Sequence, residues 1–304
     1  MKDLYQQLEN EQIGKIRLNE PLSKHTTMKI GGPADIFVEP NSIESLEKTV
    51  RLIREANVPF RVIGRGSNLL VNDEGIRGVV IKLGKGINHL EIEDEILRVG
   101  AGYPMVPLAT IMSKKGYAGF EFAGGIPGSV GGAVYMNAGA HGSDISQIII
   151  EARVLYPDGT LKWVSKEELN YSYRTSALQF DNGICVEAKF QLTKGDSEKI
   201  YADMQSFKDY RHSTQPYDMP CAGSIFRNPL PQHSGKLIED AGLKGYKIGG
   251  AQISELHANF IVNAGGATAE NVRDLIAFIK NTISDKNAID LHTEIEIILP
   301  QESN

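Results

Sequence analysis

Two glycine-rich stretches carry the residue types that could hold a phosphate. The longer is Glu121-Phe-Ala-Gly-Gly-Ile-Pro-Gly-Ser-Val-Gly-Gly-Ala-Val-Tyr-Met-Asn-Ala-Gly-Ala-His-Gly142. It keeps apolar residues at Ile126, Val130, Val134 and Met136, anchors that a flexible Gly/Ser linker would lack. Glycine permits positive φ and close backbone approach. Successive N–H groups freed in this way cradle anions. The stretch therefore reads as an ordered loop around a phosphorylated ligand, with a tightly packed, ligand-free turn as the alternative. The shorter stretch, Gly64-Arg-Gly-Ser-Asn68, follows the strand-like Phe60-Arg-Val-Ile63. It is not a dinucleotide fingerprint of the Rossmann kind, because Leu69 stands in the third glycine's place. Nor is it a P-loop, because no Gly-Lys-Ser/Thr follows. Each stretch could bind one side of a pyrophosphate, a pairing that suits a large dinucleotide such as FAD.

Four polar residues stand in apolar or glycine-rich settings: Arg174, Ser224, Asn228 and Glu294. Taken singly, each has an ordinary structural alternative. Arg174 also reads as a surface ion-pair residue, Ser224 as a turn or cap serine, and Glu294 as the solvent face of an edge strand. Asn228 before Pro229 is a common turn signal. Gly223-Ser-Ile is not the G-x-S-x-G elbow of a hydrolase. The residues by themselves describe a phosphate- or dinucleotide-binding α+β enzyme.

The elements that must position these residues follow from periodicity and turn chemistry. Residues 1–20 read as an N-terminal helical segment. A strand at Ile36–Val38 precedes a helix with Ile43, Leu46, Val50 and Ile53 on one face, opened by a capping box at Asn41 and Glu44. Strands at 60–63, 69–71, 79–81, 90–92 and 96–99 lead to a helix at 106–115. Strands at 148–155 and 161–164 flank the turn signal Pro157-Asp-Gly159. Strand 184–192 contains Cys185, read as a small buried thiol. After polar Lys194–Lys199 come a helix from Ile200, a short helix at 234–241 and a strand at 260–262. Thr268 caps a final helix whose apolar face is Val272, Leu275, Ile276, Ile279 and Ile283. The terminal strand, 293–300, alternates Ile295, Ile297 and Leu299 and carries Glu294. The polar stretch Lys194–Lys199 marks a domain boundary.

The 304 residues carry net charge −6 with no basic stripe, which argues against nucleic acid as a partner. No apolar run is long enough to span a bilayer and the first residues lack a signal-peptide core. A cytoplasmic protein with no membrane association and no obligate protein partner is expected. Cys185 and Cys221 form no CxxC, and the histidines show no metal-ligand spacing, so no metal is expected.

Taken together and in order, Gly64-Arg-Gly-Ser-Asn68, Ala123-Gly-Gly-Ile-Pro-Gly-Ser-Val-Gly-Gly-Ala133 with Asn137-Ala-Gly139, Tyr173-Arg-Thr-Ser176, Gly223-Ser-Ile-Phe-Arg-Asn-Pro229 and Thr293-Glu-Ile-Glu296 resemble the UDP-N-acetylenolpyruvoylglucosamine reductase (MurB) family of peptidoglycan synthesis. The resemblance runs from about Leu22 to Pro300. It implies the two-lobed FAD-binding fold of the vanillyl-alcohol oxidase type with a C-terminal α+β substrate domain. With the boundary at Lys194–Lys199, it implies an FAD-binding domain over 21–197, in two lobes of about 21–83 and 84–197, and a substrate-binding domain over 198–304. It implies FAD contacts from Gly64, Arg65, Gly66, Ser67, Asn68 and Leu69. A second set comprises Ala123, Gly124, Gly125, Ile126, Pro127, Gly128, Ser129, Gly131, Gly132, Asn137, Ala138, Gly139 and Ala140. It implies that NADPH donates the electrons and that Arg174, Ser224 and Glu294 are catalytic. For the UDP-sugar substrate, Tyr173, Arg211, Gln215, Asn228 and His257 are the candidates. The chain lacks the insertion that carries a tyrosine over the substrate in longer members, which matches the family's shorter subclass. Two other readings remain: another FAD-dependent oxidase or dehydrogenase of a sugar or alcohol on the same fold, with His141 the nearby residue that could tether a flavin, or a nucleotide-binding module without catalysis.

Overall fold

The computed structural model describes residues 1–299. The chain forms two compact units from interleaved segments. The first comprises Met1–Leu18, Ile36–Arg65 and Gly78–Arg211, and the second Asn19–Asp35, Gly66–Arg77 and the chain from His212 onward. The division falls inside the Gly64–Asn68 loop.

Most of a four-stranded sheet lies in the first unit, in the order Gly14–Pro21, Pro33–Pro40, Ile76–Lys82, Phe60–Ile63. The strand Phe60–Ile63 runs parallel to its neighbour, so its C-terminal end delivers the chain into Gly64. The helix Ile43–Glu55 buries Leu46, Val50 and Ile53 of the expected face, together with Thr49 and Leu52, and leaves Ile43 half-buried. Its cap is Ser42, whose side chain accepts from the Ser45 amide. The Asn41–Glu44 capping box does not form, because Asn41 Oδ1 accepts instead from Ser45 Oγ. The N-terminal segment is also corrected. Helix Lys2–Asn10 stops there, and Gly14–Pro21 is an edge strand. Gly14, at φ +153°, lies too close to the Glu39 carbonyl for a side chain, a close approach that composition does not signal.

The second sheet of this unit is antiparallel, in the order Leu161–Ser165, Ile149–Leu155, Ile184–Gln191, Ile96–Gly100, Leu90–Glu93. Phe120 and Phe190 meet edge to face at 5.0 Å in the core. Cys185 is buried in the central strand, and burial pushes its thiol pKa up to about 12, which leaves it inert as a nucleophile.

The second unit has a sheet in the order Cys221–Ser224, Phe260–Asn263, Ala251–Ile253, Lys247–Ile248. The helix Ala269–Asn287 buries Val272, Leu275, Ile276, Ile279 and Ile283, as its pattern predicts, and Thr268 forms a capping box with Asn271. Asp73, distant in sequence, adds a second cap. Its two carboxylate oxygens accept from the Ala269 and Glu270 amides at 2.8 and 3.2 Å. An anion there satisfies donors that the helix leaves open and opposes its dipole. Asp73→Ala is expected to lower the unfolding free energy by about 1 kcal/mol, measured by denaturant titration.

Only Glu296–Ile298 of the terminal segment forms a strand, parallel to Leu69–Val71. The expected alternation fails because the segment changes partner. Thr293 bridges Phe226 and the Glu294 amide donates to the Ile225 carbonyl, whereas the Glu296 amide donates to the Asn68 carbonyl. Across that switch Ile295 and Ile298 are buried, and Leu299 is exposed. Pro300, the expected end of this strand, lies outside the described residues.

Candidate active site

In the first unit, the long glycine-rich stretch is not all loop. Glu121–Gly125 forms a 3-10 turn and Val130–Met136 a seven-residue helix, with buried Ser129 at its start and Asn137, in a left-handed conformation, at its end. Accounting for the backbone amides sorts the residues into two roles. Those of Ala123, Ile126, Val130, Gly131, Ala133 and Ala138 donate to backbone carbonyls, Val130 to Tyr103 at 2.9 Å and Gly131 to Ala101 at 2.8 Å. These shape the turn. Those of Gly128, Ser129 and Gly132 donate to no acceptor among the described residues, nor do those of Gly64 and Arg65.

Glycine is required where these segments approach one another. A Cβ on Gly131 would lie 2.8 Å from the Ala101 Cβ, and one on Gly124 would lie 2.6 Å from the Met204 Sδ. A Cβ on Gly64 would overlap the Ser129 hydroxyl, so the two glycine-rich stretches are adjacent here. Five open amides beside a gap kept clear by glycine fit the phosphates of a dinucleotide. Gly64→Ala is expected to weaken cofactor retention at least tenfold, because relieving the overlap costs about 1–3 kcal/mol. Cofactor content after gel filtration and Kd by titration would measure this, and full retention would speak against the assignment.

Arg174 also belongs to the first unit. It occupies the third position of a tight turn in which Ser172 and Thr175 exchange two hydrogen bonds at 3.1 Å. Its φ is +57°, in the left-handed region that this position usually reserves for glycine. Its Nη2 donates to the Gly139 carbonyl at 2.9 Å, and its guanidinium lies 5.2 Å from the centre of the exposed Tyr173 ring. Asn137 Nδ2 donates to the Ser172 carbonyl and its Oδ1 accepts from the Ser146 amide, both at 3.0 Å. Arg174 is thereby tied to the end of the glycine-rich stretch. His141 stacks on Phe207 at 4.2 Å, and burial, then the charge of Arg211, lowers its pKa.

In the second unit, the Gly66, Ser67 and Asn68 amides likewise donate to no acceptor among the described residues. Thr27, which sequence reasoning did not single out, holds this segment. Its amide donates to the Gly66 carbonyl at 3.1 Å and its hydroxyl to the Cys221 carbonyl at 2.6 Å. Asn68 Nδ2 donates to the Glu294 carbonyl at 3.1 Å. Ser224 ends the strand Cys221–Ser224 opposite Phe260, after a register shift between Cys221 and Ser224, an interval in which Gly223 has φ +80°. Ser224 and Glu294 therefore stand on adjoining segments, linked through the Glu294 amide and the Ile225 carbonyl at 2.7 Å. Both are half-buried. Buried Asn259 locks this frame, accepting from the Phe226 amide at 3.0 Å and donating to its carbonyl at 2.8 Å. No local signal marks Thr27 or Asn259, because their partners lie far away in sequence.

The substrate candidates are distributed between the units. Tyr173 and Arg211 lie in the first, and Gln215, Asn228 and His257 in the second. Asn228 Oδ1 accepts from the Ser234 amide at 3.1 Å, so it helps to cap the helix Ser234–Asp240. His257 Nδ1 accepts from the Asn259 amide at 3.2 Å, which fixes the ring at the edge of Phe260. Among the described residues no His/Cys/Asp/Glu cluster could hold a metal ion, and no helix is long and apolar enough to cross a membrane.

A profile described as FAD binding domain matches residues 34–165, and one described as UDP-N-acetylenolpyruvoylglucosamine reductase, C-terminal domain, matches 215–298. The chain is 60% identical over 299 residues to the UDP-N-acetylenolpyruvoylglucosamine reductase of Bacillus subtilis, covering 98% of this chain and 99% of that one. Identity to the enzyme of that name from Halalkalibacterium halodurans is 60% over 298 residues, with the same coverage. Among solved structures, the reductase from Thermus caldophilus superposes with TM-score 0.82 at 34% identity, over 94% of this chain and 100% of that one. Berberine bridge enzyme from Eschscholzia californica superposes with TM-score 0.50 at 17% identity, over 64% of this chain and 44% of that one, a likeness of fold.

Proposed function

The chain belongs to the UDP-N-acetylenolpyruvoylglucosamine reductase family, and from that premise we propose how its residues reduce the enolpyruvyl group of the UDP-sugar to the lactyl ether of UDP-N-acetylmuramate. The observation that carries the reading is identity of 60% over 98% of the chain. The protein is an FAD-containing oxidoreductase of peptidoglycan precursor synthesis with NADPH as electron donor. Bound FAD would supply the hydride chemistry, relaying reducing equivalents from NADPH to C3 of the enolpyruvyl group. The open amides of Gly64, Arg65, Gly128, Ser129 and Gly132 would hold its phosphates, and those of Gly66, Ser67 and Asn68 are further candidates for the same role.

Hydride arrival at C3 sends negative charge through C2 into the substrate carboxylate. Arg174 stabilises that charge, since a planar guanidinium fork matches a carboxylate. Donors aimed at developing charge are usually the largest catalytic contribution. Glu294 is the third catalytic residue of this proposal and acts on the same developing charge. Ser224 delivers the proton to C2 and regains one through hydrogen bonds or water. The balance is one hydride at C3 and one proton at C2, with the C2=C3 double bond consumed. Arg211, Gln215, Asn228 and His257 are the residues we assign to the uridine diphosphate, and Tyr173 is a further substrate-binding candidate. A UDP-sugar and NADPH are both cytoplasmic metabolites, so we assign the reaction to the cytoplasm.

The test is NADPH consumption by the purified protein that depends on the enolpyruvyl sugar nucleotide, with a product two hydrogens heavier by mass spectrometry. NADPH oxidation of equal rate without that nucleotide would contradict the reading.

A further inference from the structure

Arg174 is held in a backbone conformation that a non-glycine residue resists. Such a turn persists only when its surroundings over-determine it. The C-terminal turn of the helix Val130–Met136 supplies contacts that do so. Ser176 Oγ donates to the Tyr135 carbonyl at 2.7 Å, and Asn137 holds the Ser172 carbonyl. The carbonyl of Arg174 itself is gripped by Gln179. The Gln179 Nε2 donates to it at 3.2 Å and also to the Tyr135 carbonyl at 2.9 Å. This half-buried amide thus bridges the turn that carries the guanidinium and the helix whose preceding segment carries the open amides of Gly128 and Ser129.

We propose that Gln179 is a positioning residue for the reaction: by tying the Arg174 carbonyl to the Tyr135 carbonyl, it fixes the strained turn so that the guanidinium meets the substrate carboxylate already oriented. The inference rests on the role proposed above for Arg174. The chemistry of the bridge is specific. Two carbonyl acceptors need a donor between them, so a carboxylate of the same shape repels both, and an ammonium on a longer stem satisfies both.

Three variants test it: Gln179→Glu, Gln179→Met and Gln179→Lys, compared with Arg174→Ala. Gln179→Glu and Gln179→Met are expected to slow substrate-dependent reoxidation of the reduced enzyme by about 10- to 100-fold, the cost of a misplaced catalytic group. Flavin content and the rate of reduction by NADPH stay near wild type, and Gln179→Lys recovers most of the loss. A readout independent of turnover is amide hydrogen exchange in the apoprotein. Protection of the Thr175 amide, which donates to Ser172, falls in Gln179→Glu and returns in Gln179→Lys. Should Gln179→Glu fold poorly, Gln179→Met carries the comparison, since it removes the donor without adding charge. Wild-type reoxidation in Gln179→Met, or a Gln179→Lys as slow as Gln179→Met, would overturn the proposal. If Arg174→Ala itself reoxidises at the wild-type rate, the proposed role of Arg174 fails, and this inference fails with it.

Discussion

Ser224→Ala is expected to leave reduction of the bound flavin by NADPH nearly unchanged and to slow its reoxidation by substrate by about 10²- to 10⁴-fold, the usual contribution of a positioned general acid. The expectation follows from what the hydroxyl is asked to do. Hydride transfer from NADPH needs no proton at C2 of the sugar nucleotide, whereas completion of the second half-reaction does. Alanine removes the oxygen with little disturbance to the frame. Ser224 is the last residue of its strand, and the frame is held by backbone pairing to Phe260 and by Asn259 through Phe226. The Glu294 amide bonds to Ile225, not to Ser224. Stopped-flow measurement of each half-reaction separates the two outcomes. Equal loss of both would remove Ser224 from the proton-delivery role.

Arg174→Ala is expected to lower the same half-reaction by about 10²- to 10³-fold, the effect of deleting one donor aimed at developing negative charge. Arg174→Lys should recover only part of it, because an ammonium cannot present two parallel N–H groups to a carboxylate. Backbone strain yields a second, opposite expectation. Asparagine tolerates the left-handed region that arginine occupies at φ +57°. Arg174→Asn loses the hydrogen bond to the Gly139 carbonyl but relieves the strain. The two effects are of similar size, so its unfolding free energy should fall within about 1 kcal/mol of wild type while activity is lost. A protein that gives up little stability when a strained residue is replaced, but loses its reaction, keeps that residue for chemistry. Thermal unfolding and single-turnover kinetics on the same sample would show whether this holds.

The legible parts of this molecule were those in which local chemistry and tertiary demand agree. Gly64–Asn68 follows its strand as read, and the face Val272, Leu275, Ile276, Ile279 and Ile283 is buried as its period requires. The turn at Pro157-Asp-Gly159 closes as expected, with Gly159 at φ +91°. The illegible parts were those that distant segments decide. Val130–Met136 reads as loop because two glycines weaken a helix by about 1 kcal/mol each. It forms because the Tyr103 and Ala101 carbonyls take its first amides and Gly131 lets it pack on Ala101. Residues 14–21 read as helix or connector, yet they form the edge of a sheet completed by Pro33–Pro40. The terminal strand shortens because its partner changes between Glu294 and Glu296, and one strand's alternation cannot show a change of partner. Gln179 carries no local signal, since the Tyr135 carbonyl it bonds lies 44 residues earlier.

One enzyme-bound flavin passes electrons from NADPH to the enolpyruvyl sugar nucleotide. The most direct measurement is the absorption spectrum of the purified protein under anaerobic conditions. NADPH should bleach the flavin bands, and one equivalent of UDP-N-acetylenolpyruvoylglucosamine should restore them without oxygen. A protein with no flavin bands, or one that NADPH bleaches and the sugar nucleotide leaves bleached, would contradict the account.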